Sequence, residues 1–206
     1  MITIINYGMG NLGSVKNMLK KIGTDSIITS NKDEILKATK LLLPGVGSFD
    51  NAVKNLQELG LSDIIRKKVL EEKTPILGIC LGMQLLTHSS EEGKLKGFGF
   101  IDAEAKKFNF DTLDENLPVP HMGWNKARLQ KESKLFLDND DTNRRFYFVH
   151  SYAVICKNKE DILTTTHYGY EFVSSFEKDN IIGCQFHPEK SHKYGMKLLK
   201  NFVENY

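Results

Sequence analysis

Little in this sequence is suited to cross-linking or to a membrane. Its 206 residues include three cysteines, Cys80, Cys156 and Cys184. They are odd in number and far apart, and no CxxC or Cys/His pair has zinc spacing, so neither a disulfide framework nor a metal site is expected. No apolar run approaches the ~20 residues that cross a bilayer. The opening run, Ile2-Thr3-Ile4-Ile5, has no basic segment before it and reads as a strand rather than a secretory leader. An excess of one charge is also missing. Lys and Arg number 28 against 26 Asp and Glu, well mixed, for a net +2, which leaves no footprint for nucleic acid or an anionic membrane surface. Repeats, low-complexity tracts and linkers are absent too. The expectation is one soluble domain spanning residues 1–206 in a reduced, cytoplasmic setting, large enough to bury a core unaided.

The first half of the chain alternates short apolar runs with helical periodicity. Ile2 to Ile5, Ser26 to Thr29, Leu41 to Leu43 and Ile76 to Ile79 read as strands. Between them, Val15, Met18, Leu19 and Ile22 recur at helical spacing before Gly23, as do Val53, Leu56, Leu59, Ile64, Ile65 and Val69. Strand and helix in alternation predict an open, mostly parallel central sheet with helices on both faces. Runs without polar alternation suit strands buried on both sides. Beyond Gly97 the texture changes. Phe98 to Phe110, Arg145 to Ile155 and Ile162 to Phe176 are rich in aromatic and β-branched residues and predict added antiparallel strands, and Tyr194 to Val203 predicts a last helix.

Three local patterns carry chemistry. Gly78-Ile79-Cys80-Leu81-Gly82 lies where a buried strand turns straight into a helix, a nucleophile elbow with cysteine in the serine position. Helix N–H groups there favour a thiolate and can hold an oxyanion. Alone, the pattern also suits a buried structural thiol. Cys184-Gln185-Phe186-His187-Pro188-Glu189 ends a second strand. It offers His187 as a proton acceptor and Glu189 as the carboxylate that sets its tautomer, although His-x-Glu by itself suits a surface turn equally. Pro44-Gly45-Val46-Gly47 ends a third, and its glycines let backbone N–H groups approach a ligand, as does any strand-to-helix turn of this kind.

Taken together, these pieces resemble the class I, or triad, glutamine amidotransferases: a Pro-Gly-x-Gly strand, a Gly-x-Cys-x-Gly elbow with Gln84 four residues after the cysteine, and a late His-Pro-Glu. The likeness spans the chain. Tyr7 to Asn11, Pro120-His121-Met122-Gly123-Trp124-Asn125, Phe148 to Tyr152 and His187 to Ser191 resemble in particular the glutaminase subunits of imidazole glycerol phosphate synthase. Asn6, Gly13 and Ala153 depart from that pattern, where Asp, Arg and an aromatic are frequent, but none touches the triad.

The resemblance implies hydrolysis of glutamine to glutamate and ammonia, with Cys80 as nucleophile, His187 and Glu189 completing the triad, and Gly47 and Leu81 supplying oxyanion N–H groups. It implies that Gln84, Glu92, His150 and Ser151 contact the substrate and that no cofactor is needed. It places His121, Met122, Trp124, Asn125 and Lys190 on the side facing a (β/α)8 cyclase partner in a heterodimer, to which ammonia passes in histidine biosynthesis. It also implies weak activity without the partner and a rearrangement at Gly45 to Gly47. The alternative that the resemblance leaves for this chain is a paralogous glutaminase subunit feeding ammonia to amidation of a surface-polysaccharide sugar. Two other classes are weaker readings: a non-catalytic scaffold, which would lack the cysteine or histidine, and a cysteine peptidase or γ-glutamyl hydrolase, against which Gln84, Glu92 and the Trp124 segment argue.

Overall fold

The computed structural model describes residues 1–111, 117–137 and 144–206. The apolar runs form its frame. β1 (Ile2–Ile5), β2 (Ser26–Thr29), β3 (Leu41–Gly45), β4 (Ile76–Cys80) and β13 (Ile181–Cys184) lie parallel in the order β2-β1-β3-β4-β13. All but the edge strand β2 are buried along their whole length, which is why their sequences lack polar alternation.

Alternate side chains of these strands feed two apolar layers. Leu41, Leu43, Ile76 and Ile181 pack with α3 (Phe49–Glu58), α4 (Ser62–Arg66) and α5 (Leu81–Leu85), through Phe49, Leu56, Ile65 and Met83. Ile2, Ile4, Leu42, Leu77 and Ile182 pack with α1 (Leu12–Lys21) and α6 (His192–Asn205), through Val15, Leu19, Leu198 and Phe202. Each fully buried side chain of this kind contributes about 1.5–3 kcal/mol, so the two layers fix which face each strand residue takes.

The remaining strands are β5 (Ser89–Ser90), β6 (Ala103–Lys107), β7 (His121–Lys126), β8 (Arg128–Leu129), β9 (Arg145–His150), β10 (Tyr152–Cys156), β11 (Ile162–Tyr168) and β12 (Tyr170–Lys178). β12 pairs antiparallel with β13 and extends the sheet through β10, β6 and β5 to eleven strands, with β11 and β8 branching from β12. β7 and β9 form a separate antiparallel pair.

The expected open α/β sheet with helices on both faces and added antiparallel strands is what the chain forms. Three local details differ from the periodicity. Within Phe98 to Phe110 only Ala103–Lys107 is strand, because Phe98 and Phe100 stack on each other and lie under the Arg66 guanidinium. The helical run through Val69 ends in a π-helical turn, Lys67–Glu71. A short helix, α2 (Lys32–Leu36), buries only Ile35 and so leaves no periodic signal; Asn31 caps it, its side chain accepting from the N–H of Asp33 and Glu34 at 2.9 and 3.2 Å.

Candidate active site

Cys80 is the last residue of β4 and immediately precedes α5. Its backbone has φ +55° and ψ −110°, a region that costs a non-glycine residue about 1–3 kcal/mol. The bend requires the glycines around it. A Cβ on Gly82 would lie 1.7 Å from the Leu43 carbonyl oxygen, and one on Gly78 would lie 2.6 Å from the Gly82 oxygen. Only without those methyl groups can α5 start so close to β3 and β4. The elbow expected at Gly78 to Gly82 is therefore a sterically enforced turn.

β13 lies beside β4 with Cys184 opposite Ile79, so the chain leaving β13 carries Gln185 and His187 past the sulfur. His187 is buried, and its Nδ1 stands 2.8 Å from Glu189 Oε1, both side chains almost wholly inside the protein. Ser191 pins this turn: its hydroxyl donates to the His187 carbonyl at 2.6 Å and accepts from the Tyr147 N–H at 3.0 Å, while the His187 N–H donates to the Tyr147 carbonyl at 2.9 Å. Burial opposes an imidazolium here, but the neighbouring Cys80 sulfur and the Glu189 carboxylate outweigh it and bring His187 up to about 10. Besides the Cys80 sulfur, Nε2 has no hydrogen-bond partner among the described residues.

One cavity gathers most of the residues expected to act. Cys80, His187, Gly47, Leu81, Gln84, Glu92, His150 and Ser151 all line it, joined by Tyr152 and Val149. Gly47 is held at φ +111°, a conformation that favours glycine. Glu92 accepts from the Phe49 N–H at the start of α3 at 3.0 Å. Another cavity, beside Arg66 and Phe98, contains no cysteine or histidine.

Behind the cavity wall a polar network runs through the protein. Gln84 Nε2 donates to the Tyr152 carbonyl at 3.3 Å and to Gln185 Oε1 at 3.1 Å, and Gln185 Nε2 donates to Cys80 Sγ at 3.6 Å. The Tyr152 carbonyl also accepts from His150 Nδ1 at 2.8 Å. This fixes the tautomers of two neighbouring histidines. With Nδ1 carrying the proton, neutral His150 presents a bare Nε2, and His121 Nδ1 must donate to it across 3.2 Å. His121 Nε2 then accepts from Asn125 Nδ2 at 3.3 Å. Burial keeps both rings neutral, lowering His121 to about 4 and His150 to about 3; for His150 the Tyr152 carbonyl opposes the shift, and the charges of His121 and His187 reinforce it.

The residues expected on the partner side divide by strand parity. Met122 and Trp124 of β7 are 62% and 45% exposed, and Lys190 is exposed with its Nζ 5.7 Å from the centre of the Tyr147 ring. Trp124 stacks on His192 at 5.4 Å and is not a core residue. His121 and half-buried Asn125 lie on the opposite face of β7, and His121 is 3% exposed, so its side chain belongs to the interior network and not to the outer surface. Sequence alone does not single out Gln185 and Ser191. A glutamine inside the apolar run Ile181 to Phe186, fully buried in the fold, is the available signal.

A strained cysteine at the end of one parallel strand and a buried histidine–carboxylate pair at the end of its neighbour meet at one cavity on an open α/β sheet. The chain belongs to the family glutamine amidotransferase class-I, whose sequence pattern it matches over residues 3–206. It is 62% identical over 204 residues to "Imidazole glycerol phosphate synthase subunit HisH 2" of Methanococcus maripaludis, covering 99% of both chains. With HisH 1 of Campylobacter jejuni strain RM1221 it shares 49% over 204 residues, covering 98% of this chain and 99% of the relative. With HisH 2 of Pseudomonas aeruginosa it shares 45%, covering 99% of both. Among solved structures, a glutamine amidotransferase has the same fold, with a TM-score of 0.71 at 18% identity over 99% of this chain and 98% of that one.

Proposed function

We propose that the chain is the glutaminase component of an imidazole glycerol phosphate synthase and hydrolyses glutamine to glutamate and ammonia. The observation that carries the chemistry is the placing of Cys80 and His187 on one cavity, with Glu189 2.8 Å behind the imidazole. The thiol proton passes to His187. The sulfur then attacks the side-chain amide carbon, and the oxyanion settles against the backbone N–H groups of Gly47 and Leu81, each such donor being worth about 3–4 kcal/mol in the transition state. His187 returns its proton to the amide nitrogen as the C–N bond breaks, releasing ammonia and leaving a γ-glutamyl thioester. The same imidazole next takes a proton from water, which cleaves the thioester to glutamate and restores the thiol. Glu189 holds the ring in the tautomer these transfers need.

Gln84, Glu92, His150 and Ser151 line the cavity and are assigned to binding the glutamine backbone groups, Glu92 supplying the negative charge that suits an α-ammonium. The three relatives named above each form one component of a synthase, which supports a partner chain here. We assign that partner as a (β/α)8 cyclase that docks on the exposed Met122, Trp124 and Lys190 side, takes up the ammonia, and works with this single-domain chain in the cytoplasm as a step in histidine biosynthesis. Among the described residues no helix is long and apolar enough to cross a membrane.

The deciding experiment is glutamine hydrolysis by Cys80→Ala in the presence of the cyclase. Turnover falls by at least about 10³-fold, as when a triad nucleophile is removed, while circular dichroism and co-purification with the cyclase are unchanged. A folded Cys80→Ala protein that releases ammonia at the parental rate overturns the assignment. Stimulation of the parent by cyclase plus its acceptor tests the coupling through Gly45 to Gly47.

A further inference from the structure

We propose that Gln185 is a positioning residue for the nucleophile: its side-chain amide donates to the Cys80 sulfur and fixes where that sulfur points, and Gln84 in turn anchors it. The inference rests on the reading of Cys80 as nucleophile and deepens it.

The orientation of the two amides follows from acceptors that cannot be exchanged. The Tyr152 carbonyl can only accept, so the nitrogen of Gln84 stands against it, at 3.3 Å. That same nitrogen is 3.1 Å from Gln185 and must meet an acceptor there, which places Oε1 toward Gln84. Nε2 is left facing the sulfur, at 3.6 Å. Gln185 is fully buried, and a buried amide with both ends occupied has one orientation. Its backbone is fixed as well, the N–H donating to the Ser174 carbonyl at 2.9 Å.

The strained elbow determines the Cys80 backbone but leaves rotation about the Cα–Cβ bond free. Two further neighbours bear on it among the described residues: the His187 imidazole, which interacts with the sulfur, and the Val149 carbonyl, a long contact at 4.0 Å. An N–H donor aimed at the sulfur favours the state with negative charge on it, and a hydrogen bond to a charged group is worth more than one to a neutral group. Gln185 therefore both aims the sulfur and favours its reactive form. Gln84 lines the substrate cavity, so a substrate that draws its amide away reaches the sulfur through a single intervening side chain.

The test uses Gln185→Met, which keeps the volume and removes the donor, and Gln185→Glu, which keeps the shape and places a carboxylate at the sulfur. Iodoacetamide labelling is followed across pH by mass spectrometry of the Cys80 peptide, separately from those of Cys156 and Cys184. The other ionisable groups near the sulfur, His187, Glu189, Tyr7 and Cys184, are the same in every protein. The midpoint for Cys80 labelling is expected to rise by about one pH unit in Gln185→Met, a tenfold smaller thiolate share at a given pH, and further in Gln185→Glu. kcat for glutamine is expected to drop at least tenfold, with KM changing less. A merely structural glutamine would lower activity or melting temperature without moving the labelling midpoint. An unmoved midpoint in either folded variant overturns the proposal. Because labelling needs no glutamine, that failure is distinguishable from failure of the glutaminase reading, which Cys80→Ala decides.

Discussion

At the scale of single residues, the proposed triad unites a strained sulfur, a charged ring and a sequestered carboxylate. Glu189 has almost no solvent exposure and only His187 within ion-pair distance among the described residues, so its negative charge acts chiefly on the imidazole. Glu189→Gln keeps the shape and removes the charge that, with Cys80, raises His187. Glutamine turnover should fall by about 10²–10⁴-fold, the range for losing an oriented acid–base group, and the acid side of the pH–rate profile should change position. A Glu189→Gln enzyme within threefold of the parent at all pH values would leave the carboxylate without a catalytic part. Cys80, His187 and Glu189 were legible because each sits in a short contiguous pattern whose glycines or proline announce the turn. Gln185 and Ser191 were not. Their importance comes from what β4 and β9 bring beside them, and no local pattern encodes that.

At the scale of elements, glycine decides how closely α5 can approach the sheet. Gly82→Ala would push a methyl group into the Leu43 carbonyl, which belongs to β3 and cannot rotate away. The expected cost is about 1–3 kcal/mol, typical of overpacking, together with loss of glutaminase activity as Cys80 shifts off its position. Gly13 is the useful contrast. It is exposed on α1, and a Cβ there meets nothing within 4 Å, so Gly13→Ala should raise stability by about 0.5–1 kcal/mol through helix propensity. Urea denaturation of both variants checks the pair, and equal effects would contradict the packing account. The alternating strand–helix half was readable from periodicity because each element there buries a face. The β7–β9 pair was legible only as a motif, since its pairing is set by partners far apart in sequence. The inward turn of His121 depends on strand parity, which Pro120 to Asn125 does not disclose.

At the scale of the whole molecule, two buried histidines, His121 and His150, make stability fall as the pH drops. His121 and His150 have folded values of about 4 and 3, below the ~6.5 of an unfolded histidine. Above pH ~6.5 both rings are neutral in either state and nothing is lost. As pH falls below that value the unfolded chain takes up protons that the folded protein refuses, so each ring removes up to about 1.4 kcal/mol of stability per pH unit until its own folded value is reached. His187, raised to about 10, is charged in both states below pH ~6.5 and adds no slope there. Chemical denaturation between pH 7 and pH 4 should therefore show a steep decline that begins near pH 6.5, too early for carboxylates alone, which titrate near 4. Protonation of either ring also removes the bare nitrogen on which the Asn125–His121–His150–Tyr152 chain depends, since His121 Nδ1 needs His150 Nε2 as acceptor and Asn125 needs His121 Nε2. The pocket wall at Tyr152 and the β7 strand should come apart together. Hydrogen exchange of the Met122 and Tyr152 amides, both accelerating over one pH interval, is the expected signature, and independent transitions for the two would show that the histidines do not join the outer strand to the catalytic cavity.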